Sequence, residues 1–574
     1  MGKVALFLYI AIILVLGYWA KRKTRNVGDF FLGGRTIGPW LSAFAYGTTY
    51  FSAVLFIGYG GKLGWGYGLH TMWIVLGNTI IGTLLAWWVL GKRTREMTAK
   101  LNAMTMPAFL AERFNKPALK VVAATLIFIF LVPYSASVYK GLSFLFQEAL
   151  VLTETQALWL MAVLTGVYLV LGGYFAIALT DFLMGLMMVF GVVVMLGSLT
   201  ESAGGILHAT KLLADTKTCS PMMNTTLPGG IPGWMFLASL VVVTSLGPWG
   251  MPQMVQKFYS IKSGDQVKRA MIVASLFALV ISFGAYYTGA LTHLNVPEKA
   301  GAAGSVSTPP IGEFLPSTAL PDQEEGEKKP KSWVTEDPLV IPGVRARAET
   351  ASAIGDYTSP TELPVRNGPD GNAVIGPNGE PVIDWDRWMP IFLAHRLPAW
   401  IMLIIVLLVL SASMSTLSSL VLVSSSAIAI DLYAGGVNAN VEKKGVLVLM
   451  RVLCAVFVML SLWMAMTSPA YIITLMVISW GLLAGAFAAP YFYGLFWRRT
   501  TTAGVAAGMI AGVGSAIVLS WVLGDPGITP ADPGVPVAGA IAIILPFLVV
   551  PLVSLITKPL PEKVISHAFG PVEQ

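Results

Sequence analysis

The sequence predicts an all-α polytopic membrane protein, and three observations carry that prediction. Of the 574 residues, 55% are hydrophobic and 12% charged, against roughly 25% charged in an ordinary soluble domain. The mean hydropathy is +0.72. About thirteen apolar stretches recur from end to end, each long enough, at roughly 17 to 25 residues, to cross about 30 Å of hydrocarbon as a helix. Two cysteines, Cys219 and Cys454, are too few for a disulfide framework or a cysteine-rich metal site, and the five histidines contain no HxxxH pair. Structural zinc and redox roles therefore drop out. A net charge of +7 fits basic cytoplasmic loops beside a lipid bilayer better than nucleic-acid binding.

The apolar stretches lie near 4–20, 38–61, 69–91, 118–146, 155–178, 180–200, 233–256, 270–294, 398–430, 445–467, 471–496, 503–523 and 536–557. The first is followed by Lys21, Arg22, Lys23 and Arg25 rather than a small-residue cleavage site, so it reads as a retained span. With the N-terminus outside, the segments 21–35, 92–120, 257–269, 443–451, 498–499 and 558–563 face the cytoplasm and hold 23 of the 37 lysines and arginines. That bias predicts the N-terminus outside and the C-terminus cytoplasmic, in a multi-pass protein of the cell (plasma or inner) membrane.

The expected organisation follows from the spans. Residues 1–37 form the first span and a cytoplasmic loop, 38–200 a first five-helix unit, and 201–232 an external loop. Residues 233–294 begin a second unit that 398–496 completes, and 497–574 hold two peripheral spans and a short tail. Between the two parts of the second unit lies a long external hydrophilic insertion, 295–397. Its first part, 295–386, carries 15 of the 30 acidic residues and turn signals such as Asn367-Gly368 and Pro369-Asp370-Gly371. Trp385, Trp388, Phe392 and Trp400 near its end have the look of an interfacial anchor.

Breaks in apolar runs are informative, because freed backbone groups in a membrane must be satisfied by protein, ions or water. The second span is interrupted by Gly47-Thr48-Thr49 and Ser52, and the seventh by Gly247-Pro248-Trp249-Gly250-Met251-Pro252, whose prolines remove backbone donors. If the second to sixth spans form one unit and the seventh to eleventh another, each break falls in the first helix of its unit. Paired breaks of this kind point to an inverted-repeat (5+5) transporter core with a site near the bilayer midplane. A packing kink is the competing account of either break alone.

The ninth span carries Ala412-Ser413-Met414-Ser415-Thr416-Leu417-Ser418-Ser419, then Ser424-Ser425-Ser426. Residues 412, 415, 416 and 419 share a helical face. Such oxygens suit a weakly held hard cation, although serines and threonines also let helices pack closely. Asp181 is the one acid outside the insertion placed well inside an apolar stretch, and an intramembrane carboxylate is a functional-site candidate, as ion ligand or proton relay. A short turn after Gly172-Gly173 is its other reading. Lys140 is the corresponding cation, placed where it can snorkel to the external interface.

These residues resemble the sodium:solute symporter family, which includes sodium/proline, sodium/pantothenate, monocarboxylate and sodium/galactose transporters. The resemblance is carried by Phe30-Phe31-Leu32-Gly33-Gly34-Arg35, by Leu171-Gly172-Gly173-Tyr174-Phe175-Ala176 through Thr180-Asp181, and by Met414 to Ser419 running on to Asp431-Leu432-Tyr433. It covers nearly the whole chain outside 295–386, and it implies the broken-helix fold and inward movement of a small-molecule solute with a sodium ion. By position it implies a main sodium site from the carbonyls of Thr48, Phe51 and Ala412 and the hydroxyls of Ser415 and Thr416. A second sodium site, found in some members, would use Asp181 with Ser415, Ser418 and Ser419; Met184 stands where the family usually has a glutamine.

Solute contacts implied by the resemblance are Tyr50, Ser52, Val54, Tyr134, Thr244 and Trp249. Val54-Leu55 replace the polar residues of sugar carriers, Thr244 replaces a tryptophan of the proline carriers, and Thr49 to Ala53 resemble the pantothenate carriers. A small organic acid or amino-acid-like zwitterion fits best. A proton-coupled carrier of the same fold and a transporter-like sensor are the alternatives. No catalytic constellation suggests an enzyme, and nothing in the sequence implies an obligate protein partner.

Overall fold

The computed structural model describes residues 2–21, 27–150, 152–201, 203–214, 219–220, 222–227, 230–294, 385–437, 443–467, 472–523 and 534–570. The insertion from 295 to 384 lies outside the described residues. Among the described residues strand is confined to one two-residue antiparallel pair, Thr226–Leu227 with Ile231–Pro232; the rest of the regular structure is helix.

Among the described residues, ten helical stretches are long and apolar enough to span a bilayer, with the shorter apolar run Leu6–Trp19 in α1 (Gly2–Lys21). Ten such stretches are not a count of spans, because one of them, Pro39–Lys100, is 62 residues long and holds two expected spans. Helical turns continue with little interruption from Pro39 to Lys100, joining the second and third expected spans. The fifth and sixth expected spans, within Glu154–Glu201, are two helices that meet at a kink at Gly173, whose φ of 65° and ψ of −176° are not helical.

Both expected breaks are present. Helix α2 (Pro39–Tyr50) ends at Phe51, whose φ of −109° and ψ of 109° are extended. Ser52 restarts the helix, its hydroxyl accepting from the Val54 N–H at 3.2 Å and its carbonyl from the Leu55 N–H at 3.0 Å. A π-helical segment, Val54–Gly60, then leads into α3 (Gly61–Tyr67). The second break separates α6 (Gly233–Gly250) from α7 (Pro252–Ser260) at Met251, with φ −76° and ψ 120°. Pro252 opens α7, where a missing N–H costs nothing. Between the breaks lie α4 (Pro117–Leu150) and α5 (Glu154–Glu201), and beyond them α8 (Val267–Ala290).

The centre is α9 (Ala399–Ser426), in which every residue from Leu408 to Ser426 is buried. It packs against α5, α4 and α2. Helices α10 (Lys443–Thr467), α11 (Ile472–Phe496), α12 (Thr502–Leu523) and α13 (Gly534–Ile556) complete the bundle, with α12 and α13 laid on α11. The end of the insertion docks on this frame, because the Asp386 carboxylate accepts the first N–H of α11, from Ile472, at 2.9 Å. A carboxylate is favoured at the positive end of a helix.

Two glycine motifs have a common steric origin. Gly33, Gly34 and Arg35 all have positive φ, at 58°, 63° and 57°, so the chain turns sharply into α2, and glycine removes the strain at two of the three positions. Gly173 has φ 65°, and a Cβ there would stand 2.9 Å from the Phe30 ring. Hence the first motif packs directly on the second. Arg35 fastens the turn by donating to the carbonyls of Ala103 and Thr98, at 2.7 and 3.2 Å. Burial pushes its guanidinium down to about 10, which leaves it charged at neutral pH.

Candidate functional site

The first break faces the hydroxyl-rich face of α9. The Ser415 hydroxyl lies 2.8 Å from the Thr48 carbonyl and 3.2 Å from that of Ala412. Thr416 Oγ1 lies 3.2 Å from the carbonyls of both Thr48 and Thr49 and 3.0 Å from that of Ala412. Phe51, whose carbonyl the sequence also nominated, is the extended residue of the break itself. All five nominated residues are buried. The donor set contains only oxygen, two hydroxyls and backbone carbonyls, which is the chemistry of a hard monovalent cation and not of zinc or copper. In the protein alone the hydroxyls donate to those carbonyls; their lone pairs are what a cation would take.

The second nominated set is less uniform. Asp181, on α5, is fully buried, and neither carboxylate oxygen has a hydrogen-bond partner among the described residues. The Ser418 hydroxyl turns back to the Ser415 carbonyl at 2.8 Å. Ser419 Oγ lies 3.0 Å from Thr49 Oγ1 and accepts a hydrogen bond from Lys257 Nζ at 2.9 Å. Lys257 sits on α7, all nine residues of which are buried. The sequence had counted it among the basic residues of a cytoplasmic segment. Lys140 is therefore not the lone cation of its kind: Lys62 and Lys257 are buried, whereas Lys140 is partly exposed and paired with Glu154. Nor is Asp181 the lone buried acid. Asp431 is equally buried, accepting from Thr105 Oγ1 at 2.7 Å, with Lys120 Nζ 4.0 Å away.

Beside the first break lies a small cavity. Tyr50, Ser52, Val54, Tyr134 and Thr244 all line it, as do Asn78, Tyr59, Tyr286 and Trp480, which the sequence reading missed. No charged side chain does. Trp249 is elsewhere: its Nε1 donates to the Ile81 carbonyl at 3.0 Å and its ring lies near Phe492. It lies just before the second break, where it braces helices instead of facing the cavity. Asn78 could have been found, being the one amide in the apolar stretch 69–91. The Tyr50 hydroxyl lies 3.1 Å from its side-chain oxygen and also donates to the Thr244 carbonyl. Trp480 gave no such signal. Its place is made by Gly247, where a Cβ would stand 2.4 Å from the indole.

The sequence profile of the sodium:solute symporter family matches residues 30–308 and 382–512. The chain belongs to the sodium:solute symporter family. It is 26% identical over 523 residues to the sodium/proline symporter of Haemophilus influenzae, covering 90% of this chain and 86% of that one. It is 24% identical over 583 residues to the osmoregulated proline transporter of Bacillus subtilis, covering 100% and 98%. Among solved structures, a sodium-coupled sialic acid symporter in a substrate-bound outward-open state superposes with a TM-score of 0.67 over 98% of both chains, at 14% identity. At that identity the likeness shows the fold, an inverted-repeat bundle with broken first helices.

Family membership makes this a sodium-coupled carrier of a solute and gives the three sequence motifs a shared location. Phe30 lies against Gly173. The next residue, Tyr174, pairs its hydroxyl with Ser260 of α7 at 2.9 Å, and its ring lies 4.9 Å from Lys257 Nζ. Lys257 in turn reaches Ser419 in the third motif. The motifs of this symporter are thus the walls around the half-helix that follows the second break.

Proposed function

We propose that this chain imports a small organic acid or zwitterion together with sodium, and that the ion binds at the first break, between the carbonyls of Thr48, Phe51 and Ala412 and the hydroxyls of Ser415 and Thr416. The observation that carries this reading is the convergence of those hydroxyls with the Thr48 and Ala412 carbonyls at an all-oxygen, buried break in α2. The cavity lined by Tyr50, Ser52, Val54, Tyr134 and Thr244 takes the solute. It adjoins the same break, so ion and solute are bound by one piece of chain.

The uncharged lining disfavours a strong anion and suits a molecule whose charges cancel internally. A carboxylate would be met by hydroxyls and by the N-terminal end of the helix that restarts after Ser52. Proline, carried by the named relatives, is the first candidate, with pantothenate and short monocarboxylates next. Coupling arises because sodium joins α2 to α9 in one conformation better than in the other, and only a difference in affinity shifts a conformational equilibrium. The basic segments support an N-terminus outside and a cytoplasmic C-terminus in the cell membrane, and the reading gives the chain no chemical step to catalyse.

The test is uptake by purified protein in liposomes of proline, pantothenate, lactate, pyruvate, acetate and a sugar, with and without an inward sodium gradient. Sodium-dependent accumulation of a zwitterion or small acid supports the reading. Accumulation that follows a proton gradient and ignores sodium contradicts it.

A further inference from the structure

We infer that the ammonium group of Lys257 is a built-in cation standing where a second sodium ion would bind, so that this carrier binds one sodium ion and not two. The inference rests on sodium binding at the first break. Lys257 is fully buried on α7, and a buried ammonium needs an opposite charge and hydrogen-bond acceptors to compensate for lost water. It finds an acceptor in Ser419 Oγ at 2.9 Å and an aromatic face in Tyr174 at 4.9 Å. The opposite charge is Asp181, its electrostatic partner, whose carboxylate oxygens take no hydrogen bond among the described residues.

Those same groups are the proposed second sodium ligands. Ser419 already gives its lone pair to the lysine, Ser418 is turned to its own helix, and Asp181 supplies a single negative charge. One carboxylate cannot balance both an ammonium and a sodium ion in a water-excluded space, because two like charges at such range repel strongly there. The residues present therefore do not fit a second sodium ion while Lys257 is in place. A cation carried on a side chain cannot leave with the solute. Instead it ties α7, the half-helix after the second break, to α5 and α9, and through Ser419 and Thr49 to the helix that holds the first break.

Equilibrium binding of radioactive sodium to the purified full-length protein, with no solute added, counts the sites. The expected count is one per chain, rising to two in Lys257→Met and returning to one in Lys257→Met with Asp181→Asn. If Lys257→Met does not fold, Lys257→Gln is counted in its place, and Lys257→Arg, which keeps the charge, stays at one. Two sites in the unaltered protein would overturn the inference while leaving sodium coupling intact. A count that stays at one in a folded, neutral Lys257 variant would overturn it as well. No sodium bound by the unaltered protein contradicts the first-break site itself, and the inference with it.

Discussion

At the residue scale the account turns on a few oxygens. Ser415 and Thr416 each bring a hydroxyl to the carbonyls of the first break, and a hydrogen bond or ligand of this kind to a charged group contributes roughly 1.5–3 kcal/mol. Ser415→Ala or Thr416→Ala should therefore raise the sodium concentration for half-maximal uptake about tenfold or more, since about 1.4 kcal/mol is a factor of ten. A sodium titration of uptake reads this, and an unchanged midpoint in both variants contradicts the assignment. Asn78 is held by Tyr50 at the edge of the cavity. Its replacement by leucine, which keeps the branched heavy-atom shape and removes the polar edge, should raise the solute concentration for half-maximal uptake about tenfold. Equal concentrations in the variant and the parent would remove Asn78 from the solute's surroundings. Oxygen-rich positions such as Ser415, Thr416 and Asp181 were legible in the sequence because polar atoms in an apolar run are costly. Lys257 was not, because it follows two prolines, Pro248 and Pro252, and precedes Lys262, Lys268 and Arg269, a pattern that reads as the start of a basic loop.

At the element scale the broken helices do the positioning. Pro248 and Pro252 announced the second break, whereas the first has no proline and was visible only through Gly47, Thr48, Thr49 and Ser52. The bend of α5 at Gly173 is a third device of the same kind. Its φ of 65° and the 2.9 Å that a Cβ would leave to Phe30 make glycine the residue that fits there. Gly173→Ala should destabilise the fold by roughly 1–3 kcal/mol and lower the thermal unfolding midpoint in detergent. A midpoint equal to that of the parent would show that the bend relaxes without strain. Trp249 illustrates the opposite case. The family resemblance implied a solute contact there, but a tryptophan just before the break turns its ring to neighbouring helices, and the direction of a side chain around a broken helix is not set by spacing alone.

Over the whole molecule, the sequence predicted the all-α polytopic class and the paired breaks from hydropathy and glycine–proline placement. What could not be read was which faces meet. Phe30, Gly173, Tyr174, Lys257 and Ser419 are scattered along the chain, and only packing brings three motifs around one half-helix. That convergence joins the proposed ion site, the cavity beside it and the second break in one connected set of contacts, the arrangement a coupled carrier needs. The most direct test of this central claim is solute accumulation by the purified protein in sealed liposomes, driven by a sodium gradient alone. The account predicts uphill accumulation of a zwitterion or small organic acid that collapses when the gradient is dissipated. Accumulation of such a solute that is the same with and without sodium would contradict it.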